Sequence, residues 1–201
     1  MSNENKDKQV RKNPFVGSKI SSGKAEFEAR LSAIDQSLAS CIKGGSVHTV
    51  DAVLYASRYL GSETTIELMQ SADAKKVGET NINKRQLEAN TYMLVTGVQV
   101  LMADEIKSQN DVKTAKWKTI DSSIANGEFE LKCGDKVLIP RNSCEIFRTP
   151  DGYDGLEGYH ALECPKFLSP LTDIIPQIWL PAAATDKAVK VVFYGVRTNK
   201  A

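Results

Sequence analysis

Histidine is nearly missing from this 201-residue chain: His48 and His160 stand far apart, with no H-x-H or H-E-x-x-H companion. The ligand spacing of a cupin-type or zincin metal centre is therefore not encoded. Cysteine is sparse as well. Cys41, Cys133, Cys144 and Cys164 include no C-x-x-C pair, which points to reduced, mostly buried thiols rather than a zinc or redox motif. Excess charge of either sign is lacking, since 26 Lys and Arg face 25 Asp and Glu, so overall charge selects no partner. A Walker loop, G-x-G-x-x-G and G-x-S-x-G are all absent, which removes the common nucleotide and hydrolase readings. No apolar run approaches the roughly 20 residues a helix needs to cross a bilayer, and the opening MSNENKDKQVRKN has no apolar centre of the secretory kind. The expectation is a protein made and kept in a cytoplasm, with no membrane-spanning segment, no cofactor, no metal and no convergent catalytic set, hence not an enzyme.

What is present begins with a local charge imbalance. Residues 1–24 carry Lys6, Lys8, Arg11, Lys12, Lys19 and Lys24 against Glu4 and Asp7, an excess of about four positive charges in a segment poor in apolar side chains. This reads as a flexible basic arm, either simply solvated or touching nucleic acid or an acidic neighbour. The stretch AEFEARLSAIDQSLASCIK then repeats Phe27, Leu31, Ile34, Leu38 and Cys41/Ile42 at three- and four-residue steps. That spacing predicts an amphipathic helix over 25–42, with Ser21 and Ser22 as N-cap hydroxyls and Gly44-Gly45 as its stop. Its stripe must pack on the rest of this chain or on a neighbouring subunit. Residues 49–60, TVDAVLYASRYL, fit a short helix or a strand, with the period of Val50, Val53, Leu54 and Leu60 leaning to helix.

From about residue 63 the texture becomes that of strands. Thr65, Ile66 and Leu68 predict a short one, and TYMLVTGVQVLMA a long one interrupted at Gly97 by a bulge or close approach. KTAKWKTI alternates weakly. EFELKCGDKVLIP reads as a hairpin around a Gly134-Asp135 turn of type II′. CEIFR, YHALEC, a Pro-punctuated stretch through 181, and AVKVVFYGVRTN complete eight or nine strands, the pattern of an antiparallel sandwich or barrel. Thr80-Asn81 is expected to turn between the first two of these strands, and Lys84-Arg85 to lie exposed at a subunit edge. Asp151, Asp154 and Glu157 offer oxygens without the calcium-loop order, so a solvated turn is the better reading. Trp117 and Trp179 read as core or interface anchors.

The segments TTIELMQSADAKKVGETNI, ANTYMLVTGVQVLMAD, ANGEFELKCGDKVLIP, PKFLSPLTDIIPQIWLPAAA and AVKVVFYGVRTNK, together spanning about 63–201, resemble in order and texture the single-jelly-roll virion proteins of bacteriophages. The resemblance implies a mainly β fold: a flexible arm (1–24), a helical segment (25–62) and a jelly-roll β-sandwich of about eight strands (63–201). It further implies a capsid or capsid-associated subunit in the virion, made in the host cytoplasm, that self-associates into a shell or ring beside other virion proteins. The basic arm would contact the genome non-specifically; the helix over 25–42 is not part of a bare jelly roll, and Phe27, Leu31, Ile34, Leu38 and Ile42 are read from their own spacing as a helix interface. Two alternatives stand beside it: a carbohydrate- or receptor-binding sandwich using loops 103–115 and 149–158 with Tyr153, Tyr159 and Trp117, and a small β-barrel enzyme.

Overall fold

The computed structural model describes residues 26–31, 36–150 and 154–200. Two helical segments, α1 (26–31) and α2 (Gln36–Lys43), precede the strands β1 (Val47–Tyr59), β2 (Thr65–Glu67) and β3 (Met93–Asp104). A single-turn helix α3 (Ser122–Ala125) leads into β4 (Glu128–Cys133), β5 (Lys136–Ser143), β6 (Tyr159–Leu168), β7 (Ile174–Trp179) and β8 (Lys187–Lys200). They form two four-stranded sheets in the orders β1-β8-β3-β6 and β2-β7-β4-β5. Every strand pairing within them is antiparallel.

One core joins the two sheets. Leu54 and Ala56 of β1, Val98 and Val100 of β3, and Val191 and Phe193 of β8 meet Phe129 and Leu131 of β4 and Ile174 and Ile178 of β7. Each such side chain contributes about 1.5–3 kcal/mol of hydrophobic stabilisation when fully buried. In β4 the alternation is clean: Phe129, Leu131 and Cys133 are buried while Glu128, Glu130 and Lys132 face outward. The predicted hairpin follows, with Gly134 at φ 57° and no positive φ at Asp135, as a II′ turn requires. In β3 almost every residue is buried on both faces, so the sheet's outer side is covered as well as its inner one. The expected irregularity at Gly97 is a register shift between Val95 and Gly97 against both neighbouring strands.

Several expectations are corrected. Residues 49–60 are not helical; β1 pairs with β8 from Val47 to Tyr59 without a break, so the β body begins at Val47 rather than near 63. Both faces of β1 carry apolar residues, which hides the two-residue period that a half-buried strand displays. KTAKWKTI contains no strand: Asp111–Thr114 is a 3-10 turn and Lys118 makes only an isolated bridge to Met102. CEIFR is a 3-10 turn at Cys144–Phe147 that buries Cys144 and Phe147. The thiols divide, with Cys133 and Cys144 buried, Cys41 half-buried and Cys164 exposed.

Candidate functional site

The outer face of the β1-β8-β3-β6 sheet collects most of the side chains with something to offer a partner. One end of it is covered by the N-terminal helices. Phe27, Leu31 and Leu38 join Leu94 of β3 and Val196 of β8, with Ile42, Val47, Tyr92 and Phe167 packed around them. Phe27 stacks on Phe167 at 5.3 Å between ring centroids, and the Arg30 guanidinium donates to the Pro165 carbonyl at 3.0 Å. The amphipathic stripe thus packs on this chain's own sheet, a choice its periodicity left open. Ile34 lies outside the described residues, as do Lys6, Lys8, Arg11, Lys12, Lys19 and Lys24. The opposite end of the face is covered by Ile106, Val112, Ala115 and Trp117 over Ala103, Ala188 and Tyr59.

Between these covers lies a band of aromatic and amide side chains. Strand register sets Tyr55, Val192, Gln99 and Tyr159 in one row across four strands. Tyr194 donates to Gln99 Oε1 at 2.7 Å, and Gln99 donates to the Glu157 carbonyl at 2.6 Å. Tyr159 packs edge-on against Tyr194, and burial pushes both phenols above their ordinary pKa. The Lys190 ammonium sits 4.9 Å from the Tyr55 ring centroid and 5.5 Å from that of Trp117. Among the described residues no carboxylate pairs with it, and burial holds its pKa below the usual lysine value. Sequence reading singled out Trp117 and Tyr159 but not Tyr55, Lys190 or Gln99, because their alignment is set by pairings between strands distant in sequence.

The polar segment after residue 70 serves the edge of β1. Asn81 Oδ1 accepts from the Tyr55 amide at 2.8 Å while its Nδ2 donates to the Val53 carbonyl at 2.7 Å, so one side chain stands in for a neighbouring strand. Ser57 N–H donates to the Glu79 carbonyl, and Gln109 closes the edge further along through Tyr59 N–H and the Ser57 carbonyl. Thr80, buried, donates to the Tyr55 carbonyl. Thr80-Asn81 is therefore an edge cap rather than a free turn. Lys84 is exposed as expected, but Arg85 is not: its guanidinium donates to Asp173 Oδ2 at 3.0 and 2.7 Å and to Glu67 Oε2 at 2.9 Å. Hydrogen bonds from Gln86 and Arg85 hold the Asp173 carboxyl below its ordinary range.

Two arrangements place side chains of catalytic type near one another. Ser123 Oγ receives a hydrogen bond from Lys187 Nζ at 2.9 Å and donates to Asp121 Oδ1 at 2.6 Å. Lys187 is also ion-paired with Asp121. Asp121 caps α3 by accepting from Ser123 N–H, and the trio is a helix cap. Burial pushes the Asp121 carboxyl up, but Lys187 and Ser123 outweigh it and the pKa lies below the ordinary value. His160 and Cys164 line one groove of about 220 Å³ between β5 and β6 with Leu138, Ile146 and Leu162. There His160 packs edge-on against Phe147. Among the described residues no group of three or more His, Cys, Asp or Glu is placed to hold a metal ion, and no helix is long and apolar enough to cross a membrane. Asp151 and Tyr153 lie outside the described residues. No protein-family model matches the chain, and no curated protein matches its sequence.

Proposed function

We propose that this chain is a structural subunit of a virion, a capsid or capsid-associated protein that self-assembles on a single jelly roll. The observation that carries the reading is the strand order. β1 pairs with β8, β2 with β7, β3 with β6 and β4 with β5, the nesting obtained when one long antiparallel ribbon is rolled up on itself. The β3·β8 and β4·β7 pairings close the roll into two sheets. Eight strands nested in this way are what a jelly roll of two Greek keys, the arrangement found in viral shells and in lectin-like domains, requires, and this supports the reading. The basic residues of 1–24 suit an arm that meets the genome or a neighbouring subunit, where repetition over many copies multiplies weak, salt-sensitive contacts. Light scattering and negative-stain micrographs of the purified chain test the proposal: shells, rings or large oligomers are expected, and a strict monomer at high concentration in both low and high salt would overturn it. Deletion of 1–24 is expected to reduce nucleic-acid co-purification or alter particle size.

A second reading, a carbohydrate- or receptor-binding module, draws support from Tyr55 and Trp117 against Lys190 and from the Tyr159–Tyr194 pair on the same face, since aromatic faces with a few polar groups suit sugar rings. Its test is glycan binding that falls on Trp117→Ala or Tyr194→Ala while assembly is unaffected.

A further inference from the structure

β1 is an edge strand, and the hydrogen bonds made by Val53, Tyr55, Ser57 and Tyr59 show that its odd-numbered residues turn their backbone groups outward. From Tyr55 to Tyr59 these groups are met by Asn81, Glu79 and Gln109. Below them the cover stops. The N–H and C=O of Thr49 and Asp51 and the N–H of Val53 have no outward partner among the described residues. Asp51 is exposed and Val53 is 44% exposed. This stretch holds no proline, lysine or bulge, and its register with β8 is unbroken. The other edges are blunted: β2 has three residues, β5 carries Pro140 between Lys136 and Arg141, and β6 carries Pro165 next to its register shift.

We infer that residues 47–53 pair antiparallel with the same segment of a second copy of this chain, about a two-fold axis at Val50. Self-pairing is limited to a few registers, and the side chains select one. Centring on Asp51 sets two carboxylates directly opposite each other, which repel. Shifting further towards Tyr55 meets the Asn81 cap, and shifting the other way runs off the start of β1. Centring on Val50 places Thr49 opposite Asp51 of the second copy, so that the hydroxyl meets the carboxylate and the free backbone groups of both residues are satisfied reciprocally. Val47 then comes opposite the exposed Val53 of the second copy, and Val50 meets its own symmetry mate as a β-branched pair. The two β1-β8-β3-β6 sheets become one continuous sheet through an isologous contact, as closed two-fold symmetry demands. The pairing goes beyond the virion reading and does not depend on it.

Disulfide trapping tests the register in full-length protein carrying Cys41→Ser and Cys164→Ser. Val50→Cys would place two thiols on a non-hydrogen-bonded pair with Cα atoms roughly 4.5 Å apart, within disulfide reach. His48→Cys would separate them by roughly 13 Å along the strand. Under mild oxidation Val50→Cys is expected to become predominantly covalent dimer and His48→Cys to remain monomeric on denaturing gels. Equal trapping of the two, or none, overturns the inference. Trapping of Val50→Cys only after removal of 1–25 also overturns it, because that outcome means the chain's own arm covers the edge. Thr49→Pro removes an outward N–H without touching the β8 ladder, and is expected to abolish the dimer while leaving the far-ultraviolet circular dichroism unchanged. Micrographs of the same samples separate the two proposals: particles without Val50→Cys trapping retain the virion reading and lose this contact, and trapping without particles does the reverse.

Discussion

At Gly195 an added Cβ would lie 1.9 Å from the Leu94 carbonyl oxygen, a backbone atom that cannot move without breaking the β3·β8 ladder beside the bulge. Gly195→Ala is therefore expected to destabilise the fold by about 3 kcal/mol through overpacking, read as a lower denaturant midpoint with an unchanged slope. Gly97 differs in kind, because its Cβ would meet the Tyr159 hydroxyl at 2.2 Å, the tip of a partly exposed side chain that can swing away. Lys84 and Arg85 sit at φ 48° and 51°, and Gln86 N–H donates to the Asn83 carbonyl at 3.0 Å. Both central positions of a type I′ turn are thus filled by residues other than the usual Asn-Gly. For Arg85 the ion pairs with Asp173 and Glu67 offset the strain. The exposed Lys84 has no such compensation, so Lys84→Gly is expected to raise stability by up to about 1 kcal/mol in thermal melts.

The helical stripe belongs to the scale of elements. Phe27 and Leu31 are fully buried against β3, β6 and β8, yet they form a cluster separate from the main core. Phe27→Ala is expected to cost about 3 kcal/mol of local docking, seen as faster hydrogen exchange over 26–43 with strand amides unchanged. Loss of assembly with unchanged exchange would instead place the stripe at a subunit boundary. The loop elements respond to acid. Burial pushes the Glu79 carboxyl up, but Lys76, Gln109 and Lys113 more than reverse it and hold it below 4.5; Asp121 and Asp173 are held below 3.8. A carboxyl whose folded pKa is lowered adds stability that is complete above its ordinary value and is lost as pH falls through the folded one. The melting temperature is therefore expected to be level down to about pH 5 and to fall below about 4.5. Glu79→Gln should melt lower at pH 7 and show a shallower acid dependence.

Across the whole molecule, β8 lies between β1 and β3 and carries the ladder of both. The eighth strand in chain order thus completes a sheet that begins with β1 at Val47. Deletion of 187–200 is expected to abolish folding outright, giving a flat circular dichroism melt, whereas deletion of 1–24 should leave the cooperative transition in place. Pairing of β1 with β8 also makes the contacts strongly non-local, so refolding should be slow, in the range of roughly milliseconds to seconds.

Legibility followed how local the deciding physics was. The β4–β5 hairpin, the irregularity at Gly97 and the apolar repeat of Phe27, Leu31, Leu38 and Ile42 are set within a few residues, by turn chemistry and by the periods of strand and helix. All were visible in the chain. The strand identity of 47–59, the capping by Asn81 and the ion pairing of Arg85 were not, because each is settled by a partner distant in sequence: β8, the edge of β1, and Asp173. The sequence by itself determined a β-rich body with an apolar helix in need of a surface. Only the tertiary structure decided that this surface is the chain's own sheet, and that the polar stretch around Thr80 and Asn81 seals part of one strand edge while leaving 49–53 open. A strand's unpaired backbone groups have no signature in its side chains; they become visible when every neighbour is in place.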